Sequence, residues 1–84
     1  MANKTVKYFT ASWCTPCQMF RPIMEEIERE GHSIHFIDID HDENDLMEKY
    51  HIQAVPTTVF EVGGKEINRF TGPKTKQEVL DRLA

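Results

Sequence analysis

The chain's two cysteines, Cys14 and Cys17, stand three positions apart where one kind of local structure gives way to another. Upstream, Val6 to Thr10 is a short run of β-formers and reads as a strand. Downstream, a helix is expected to start near Pro16, because the first helical position has no intrahelical use for a backbone N–H. Met19, Phe20, Ile23, Met24 and Ile27 recur at helical spacing and form one apolar face. Glu25, Glu26, Glu28, Arg29 and Glu30 lie mostly on the other side. Gly31 ends this helix, and Pro22 inside it is expected to kink it. The cysteine pair therefore sits on a strand-to-helix turn, the placement a reactive thiol needs.

The remaining elements follow from equally local signals. Ile34 to Asp40 reads as a second strand, and Asp42 or Asn44 as the cap of a short helix running through Tyr50. Thr57 to Val62 and Lys65 to Phe70 flank Gly63-Gly64, a two-residue hairpin signal. Thr75 and Glu78 make a capping box, and Val79, Leu80 and Leu83 give the last helix its buried stripe. The order is β-α-β-α-β-β-α. A helical crossover joins the first two strands, which should be parallel, and the last two form an antiparallel hairpin. The expected fold class is α/β, a mixed four-stranded sheet flanked by helices, with residues 1–84 as one domain.

Composition narrows the function classes. Eighty-four residues suffice for one small domain, and a formal net charge of −4 gives no basic field to draw in nucleic acid or an anionic membrane. No apolar run approaches the ~18 residues that a membrane span needs. The stretch Met1 to Lys7 lacks the apolar core and cleavage site of a secretory signal, so a cytoplasmic location is expected. Two cysteines make no disulfide framework, and in a reducing compartment such a pair is catalytic or metal-binding. His32, His35, His41 and His51 lack the usual ligand spacing, so no metal is expected and the histidines read as solvated surface residues.

Catalysis suits the pair better. Cys14 would lie at the helix N-terminus, where free backbone N–H groups and the macrodipole favour a thiolate. Cys17 would follow within the first turn, in reach of Cys14 but more covered. Cys14 attacks a substrate disulfide, and Cys17 then attacks the mixed disulfide and releases the reduced substrate. Neither a metal nor an organic cofactor is needed.

Trp13-Cys14-Thr15-Pro16-Cys17 resembles the active site of the thioredoxin superfamily, with Thr15 where glycine is usual. Pro22, five residues past Cys17, matches the family's kinking proline. Val55-Pro56-Thr57 resembles the segment that holds its cis-proline, and Gly72 the glycine that lines its substrate groove. The resemblance covers almost the whole chain. It implies a minimal thioredoxin-like fold, a cis Pro56 facing the cysteines, and a Val55 backbone turned outward to pair with an extended substrate. Trp13, Val55, Pro56 and Gly72 would shape the docking groove. The partners it implies are disulfide-containing proteins and a thioredoxin-reductase-like flavoenzyme as electron donor, for a monomer.

The sequence also departs from the family pattern. The N-terminal strand and helix of a full-length thioredoxin have no counterpart here. The buried aspartate expected six residues before Cys14 is Tyr8, and the lysine on the next strand aligns with Phe36. Losing both is coherent, since either charge buried alone would cost several kcal/mol. A glutathione-dependent, glutaredoxin-like electron donor is one alternative. Against it, Pro73 after Gly72 has no N–H to offer a carboxylate. A redoxin fold used only as a protein-binding module is another.

Overall fold

The computed structural model describes residues 3–84; Met1 and Ala2, which open the stretch read above for a signal, lie outside the described residues. The elements are β1 (Lys4–Thr10), α1 (Thr15–Arg29), β2 (Ser33–Asp38), a 3-10 turn (Ile39–His41), α2 (Leu46–Lys49), β3 (Thr57–Val62), β4 (Lys65–Thr71) and α3 (Lys76–Leu83). The strands form one mixed sheet in the order β2-β1-β3-β4. β1 runs parallel to β2 and antiparallel to β3, and β3 pairs antiparallel with β4.

Gly63 and Gly64 turn the β3–β4 hairpin with φ of 59° and 81°, the doubly positive pair that a twisted two-residue connection requires. Thr75 caps α3 by accepting a hydrogen bond from the Glu78 N–H at 3.2 Å, as the capping box predicts. The second strand is shorter than its alternating pattern suggests. The Asp38 carboxylate accepts a hydrogen bond from the Asp40 N–H at 2.9 Å, so Ile39 and Asp40 turn away into the 3-10 segment. The short helix occupies Leu46–Lys49 alone. Its N-cap residue is neither Asp42 nor Asn44 but Asp45, left-handed at φ 54° and making no side-chain cap bond; the Asp42 carboxylate reaches in from upstream instead and accepts the N–H groups of Leu46 (2.9 Å) and Met47 (2.6 Å). β1 starts two residues early, because Lys4 and Thr5 pair with Val62 and Glu61. α1 runs through Pro22 as one element.

The two faces of the sheet are covered unequally. On one, α1 and α3 bury Val6, Tyr8, Phe20, Met24, Ile27, Ile34, Phe60, Phe70 and Val79 in one cluster. Lys76 of α3 bridges to Glu26 of α1 (2.9 Å) and to Glu30, the C-cap of that helix, so this lysine ties two helices together. The other face packs Phe9, Ile37, Ile52 and Val59 beneath the one-turn α2 and Tyr50. There the sheet presents a charged pair. The Glu61 side chain, only 3% exposed, receives Lys7 Nζ at 2.6 Å and the Tyr50 hydroxyl at 2.6 Å.

Burial pushes the Glu61 carboxyl up, but the hydrogen bonds from Lys7 and Tyr50 outweigh it and hold the carboxyl below its ordinary value. A carboxyl lowered on folding contributes stability above its unfolded pKa of about 4.3, and that contribution fades as pH falls through the folded value. Urea unfolding should therefore show wild type losing stability on acidification through that window more steeply than Glu61→Gln. Lys7→Met strands the carboxylate with one partner and should cost about 2 kcal/mol at neutral pH. Replacing both residues, Lys7→Met with Glu61→Leu, should recover most of that loss; if it does not, the ion pair is not what holds this face.

Candidate active site: the Cys14–Cys17 turn

The sheet register decides what meets at the cysteines. β1 and β2 both end, and β3 begins, at one edge of the sheet, where Phe9 lies between Ile37 and Thr57. Thr57 in turn faces Thr71, the last residue of β4. The turn after Thr10, the segment after Asp38, the loop before Thr57 and the loop after Thr71 therefore converge.

Cys14 is the N-cap of α1, extended at φ −92°, ψ 107°. Its N–H donates to the Ala11 carbonyl at 3.2 Å, and the Gln18 amide side chain donates to the same carbonyl at 2.8 Å, which fastens the turn. Cys14 and Cys17 are joined as a disulfide, with Cα atoms 5.2 Å apart. The Cys17 N–H donates to Cys14 Sγ at 3.2 Å, so a free donor of the first helical turn points at this sulfur. Cys14 is 6% exposed and Cys17 fully buried, with Ala11, Ile39 and Val55 packed around them.

The loop before β3 closes the site from the other side. The Val55–Pro56 peptide is cis, and the Val55 carbonyl oxygen lies 3.7 Å from Cys14 Sγ. Gly72, at φ +89°, adopts a backbone that an L side chain resists, and its N–H donates to the Pro56 carbonyl at 2.8 Å. Val55 thus stands against Cys14, with Pro56 joined to it by the cis peptide and Gly72 bonded to Pro56. Trp13 is 65% exposed beside them, with its indole N–H donated to Asp40 at 2.8 Å.

Asp40 was not among the residues singled out from the sequence. Its aspartate-rich surroundings read as strand and cap, and no local signal points from it to Trp13. An apolar hollow of about 400 Å³ opens between the first turns of α1 and the loop after β4, lined by Thr15, Pro16, Met19, Phe20, Ile23, Pro73 and Lys74.

Tyr8 and Phe36 are register partners on β1 and β2, their rings edge to face at 5.8 Å. The Tyr8 hydroxyl donates to the Cys17 carbonyl at 2.9 Å. Burial pushes this hydroxyl up to about 12, over the opposing pulls of Thr10 and Arg21. It is therefore a protonated donor at neutral pH and a poor base.

The thioredoxin family model matches residues 1–84. A thioredoxin H-type from Fagopyrum esculentum is 35% identical over 77 residues, which cover 90% of this chain and 66% of the relative. A thioredoxin from Mycoplasmoides gallisepticum is 33% identical over 82 residues, covering 96% of this chain and 82% of its own. The chain spans only 56% of the 37%-identical thioredoxin H-type 1 from Nicotiana tabacum, so it falls short of the plant relatives' length. Among solved structures, the thioredoxin of Fasciola hepatica superposes with a TM-score of 0.86 at 31% identity, over 96% of this chain and 78% of that one. A mutant thioredoxin from Halobacterium salinarum gives 0.88 at 27% identity, over 96% and 72%. With a family match along its whole length, a thioredoxin-like sheet and a cysteine pair capping α1, the chain belongs to the thioredoxin family.

Proposed function

We propose that this chain is a thiol–disulfide oxidoreductase that reduces disulfides in proteins. The observation that carries the reading is the bonded Cys14–Cys17 pair at the N-terminus of α1, packed against Val55 ahead of the cis Pro56, in a chain of the thioredoxin family. Cys14, the more exposed of the two and the one that receives a helix N–H, is the nucleophile. Its thiolate attacks one sulfur of the substrate disulfide, forming a mixed disulfide and expelling the other sulfur as a thiolate, which takes a proton from solvent. Cys17 then attacks Cys14 Sγ, the Cys14–substrate bond breaks, and the second substrate thiol leaves with the Cys17 proton. The substrate gains two electrons and two protons, and the protein is left as the disulfide described above.

Trp13, Val55, Pro56 and Gly72 form the docking groove for an extended substrate segment. The reduced pair is regenerated by a thioredoxin-reductase-like flavoenzyme in the cytoplasm, with the chain acting as a monomer. Pro73, which cannot donate an N–H, argues for that donor over glutathione. Among the described residues no helix is long and apolar enough to cross a membrane. NADPH-coupled turnover of a protein disulfide, with a thioredoxin reductase in one arm and glutathione with its reductase in the other, tests both points. Turnover in neither arm would falsify the reading, and turnover only with glutathione would replace the donor.

Two variants test the assigned roles. Cys17→Ser should accumulate substrate proteins on Cys14 as adducts that reductant removes, and Cys14→Ser should form none; adducts that require Cys17 would reverse the order of attack. Asp40→Ala frees the indole of Trp13, the chain's one tryptophan, so its fluorescence anisotropy should fall. Loss of that hydrogen bond should slow protein-disulfide turnover by about fivefold, while a small aromatic disulfide reacts as before. Equal turnover of the protein substrate would remove Trp13 from the docking groove.

A further inference from the structure

α1 lays one stripe on the sheet, Cys17, Phe20, Met24 and Ile27, each essentially fully buried. The helix runs back along the sheet from the end of β1, so Cys17 lies over the last residues of that strand. Tyr8 marks the level, since its hydroxyl donates to the Cys17 carbonyl. Thr10 lies two residues on from Tyr8 along β1, on the same face. Thr58 is the register partner of Tyr8 on β3, on the same face again.

Both threonines are buried, Thr10 at 2% exposure and Thr58 at 0%. Neither hydroxyl has a hydrogen-bond partner among the described residues. The pull of Thr10 on the Tyr8 hydroxyl marks the two as neighbours, yet no hydrogen bond of normal geometry joins them. A buried hydroxyl left unsatisfied costs about 1–3 kcal/mol, so two on diagonally neighbouring positions of one face, Thr58 opposite Tyr8 and Thr10 one pleat further on, call for a shared polar partner. Valine has nearly the same shape and would fill either place without that cost.

We propose that Thr10 and Thr58 hold a buried water beneath Cys17, and that this water carries the proton from the Cys17 thiol when Cys17 attacks the mixed disulfide. The inference rests on the reading of Cys17 as the resolving thiol. The Tyr8 oxygen offers a third contact, since its own proton is committed to the Cys17 carbonyl and its lone pairs remain free. In the step, the Cys17 S–H bond breaks and a Cys17–Cys14 S–S bond forms. The bond from Cys14 to the substrate sulfur breaks, and the proton passes through the water to the departing thiolate of a protein substrate, or on to solvent where the departing thiolate is too weak a base to take it. The water is not consumed.

Thr10 and Thr58 are positioning residues here, acting through the water. The titratable or charged groups facing Cys17 are Tyr8 from β1 and Cys14 and Arg21 from α1; the guanidinium of Arg21 lies over the Phe36 ring, 4.7 Å from its centroid. β2 brings Phe36 and β3 brings Thr58, neither of which titrates at neutral pH.

The test uses the full chain, reduced, mixed with a nitrobenzoate disulfide whose released thiolate is coloured. Attack by Cys14 releases one thiolate and attack by Cys17 the second, so stopped-flow absorbance separates the steps. Thr10→Val and Thr58→Val should leave the first phase unchanged. Each should slow the second phase by about tenfold near neutral pH, the worth of one hydrogen bond to a charged group. Each should also move the rise of that phase to higher pH, and the rates should converge with wild type in alkali. Thr10→Ser and Thr58→Ser, which keep the hydroxyl, should run at the wild-type rate; they also serve if a valine variant does not fold. An unchanged second phase in both folded valine variants overturns the inference while leaving the resolving role of Cys17 intact. Serine variants as slow as the valine ones overturn it too, because packing rather than the hydroxyl would then be responsible. A wild-type protein with no second phase overturns the resolving role itself and this inference with it. A crystal structure should show a water bonded to both hydroxyls, and hydroxyls turned instead onto backbone carbonyls would count against the proposal.

Discussion

The pairing of β1 on both its edges is the constraint from which the rest of the molecule follows. Parallel to β2 and antiparallel to β3, this strand sets the end of one beside the start of the other. A slip of one residue in either ladder would turn Tyr8 and Val6 out of the core, and Lys7 into it. The same slip would move Pro56 and Asp40 relative to Cys14. The site is therefore assembled by the sheet's backbone hydrogen bonds, to which side chains add ties such as the Trp13 indole on Asp40, the Gln18 amide on Ala11 and the Tyr8 hydroxyl on Cys17.

Much of this was legible because its causes are local. The hairpin needed only two glycines between β-forming runs, and β3 has the expected bounds, Thr57–Val62. The helix after Cys14 was legible from a proline at its start and an apolar stripe along it. The cysteine turn was legible for the same reason, since its placement depends on its immediate neighbours. What escaped depends on side chains reaching the backbone or across the fold. Ile34 to Asp40 alternates like a strand throughout, yet a single hydrogen bond from the Asp40 N–H to the Asp38 carboxylate ends it early. β4 hides an irregularity between its pairings with Phe60 and Glu61, where Asn68 and then Glu66 stand opposite and Ile67 is left exposed. Asp40 was unreadable as a partner of Trp13 because the contact joins two loops that only the sheet register brings together. Thr10 and Thr58 looked like ordinary β-branched strand residues, and only their common face and missing partners set them apart.

The two faces of the sheet use different chemistry to stay dry. Beneath α1 and α3 the cover is aromatic and aliphatic, and the Phe70 ring packs in tilted geometry against both Phe20 (6.2 Å between centroids) and Phe60 (5.8 Å). Beneath the one-turn α2 there is too little helix to bury a comparable apolar surface. Lys7 and Glu61 occupy the strand positions left there, satisfied by each other and by Tyr50. A charged pair at the margin of a thin cover keeps its outer parts wetted and its inner parts bonded, whereas two large apolar side chains would stand half exposed.

The position of β1 in the sheet also orders events in time. The strand is the first element among the described residues and one of the two inner strands of the sheet, yet its antiparallel partner is β3, with Phe9 waiting for Thr57 and Lys4 for Val62. The ladder between β1 and β2 spans a shorter loop than the one between β1 and β3 and closes at lower entropic cost, so β2 can join β1 before β3 does. Until β3 arrives, the inner edge of β1 is an open row of backbone donors and acceptors. A lysine in the middle of such an edge discourages a wrong strand from docking, and Glu61 on the right strand neutralises it. Lys7 thus acts twice, first as a guard on an unfinished edge and then as a bond in the finished one.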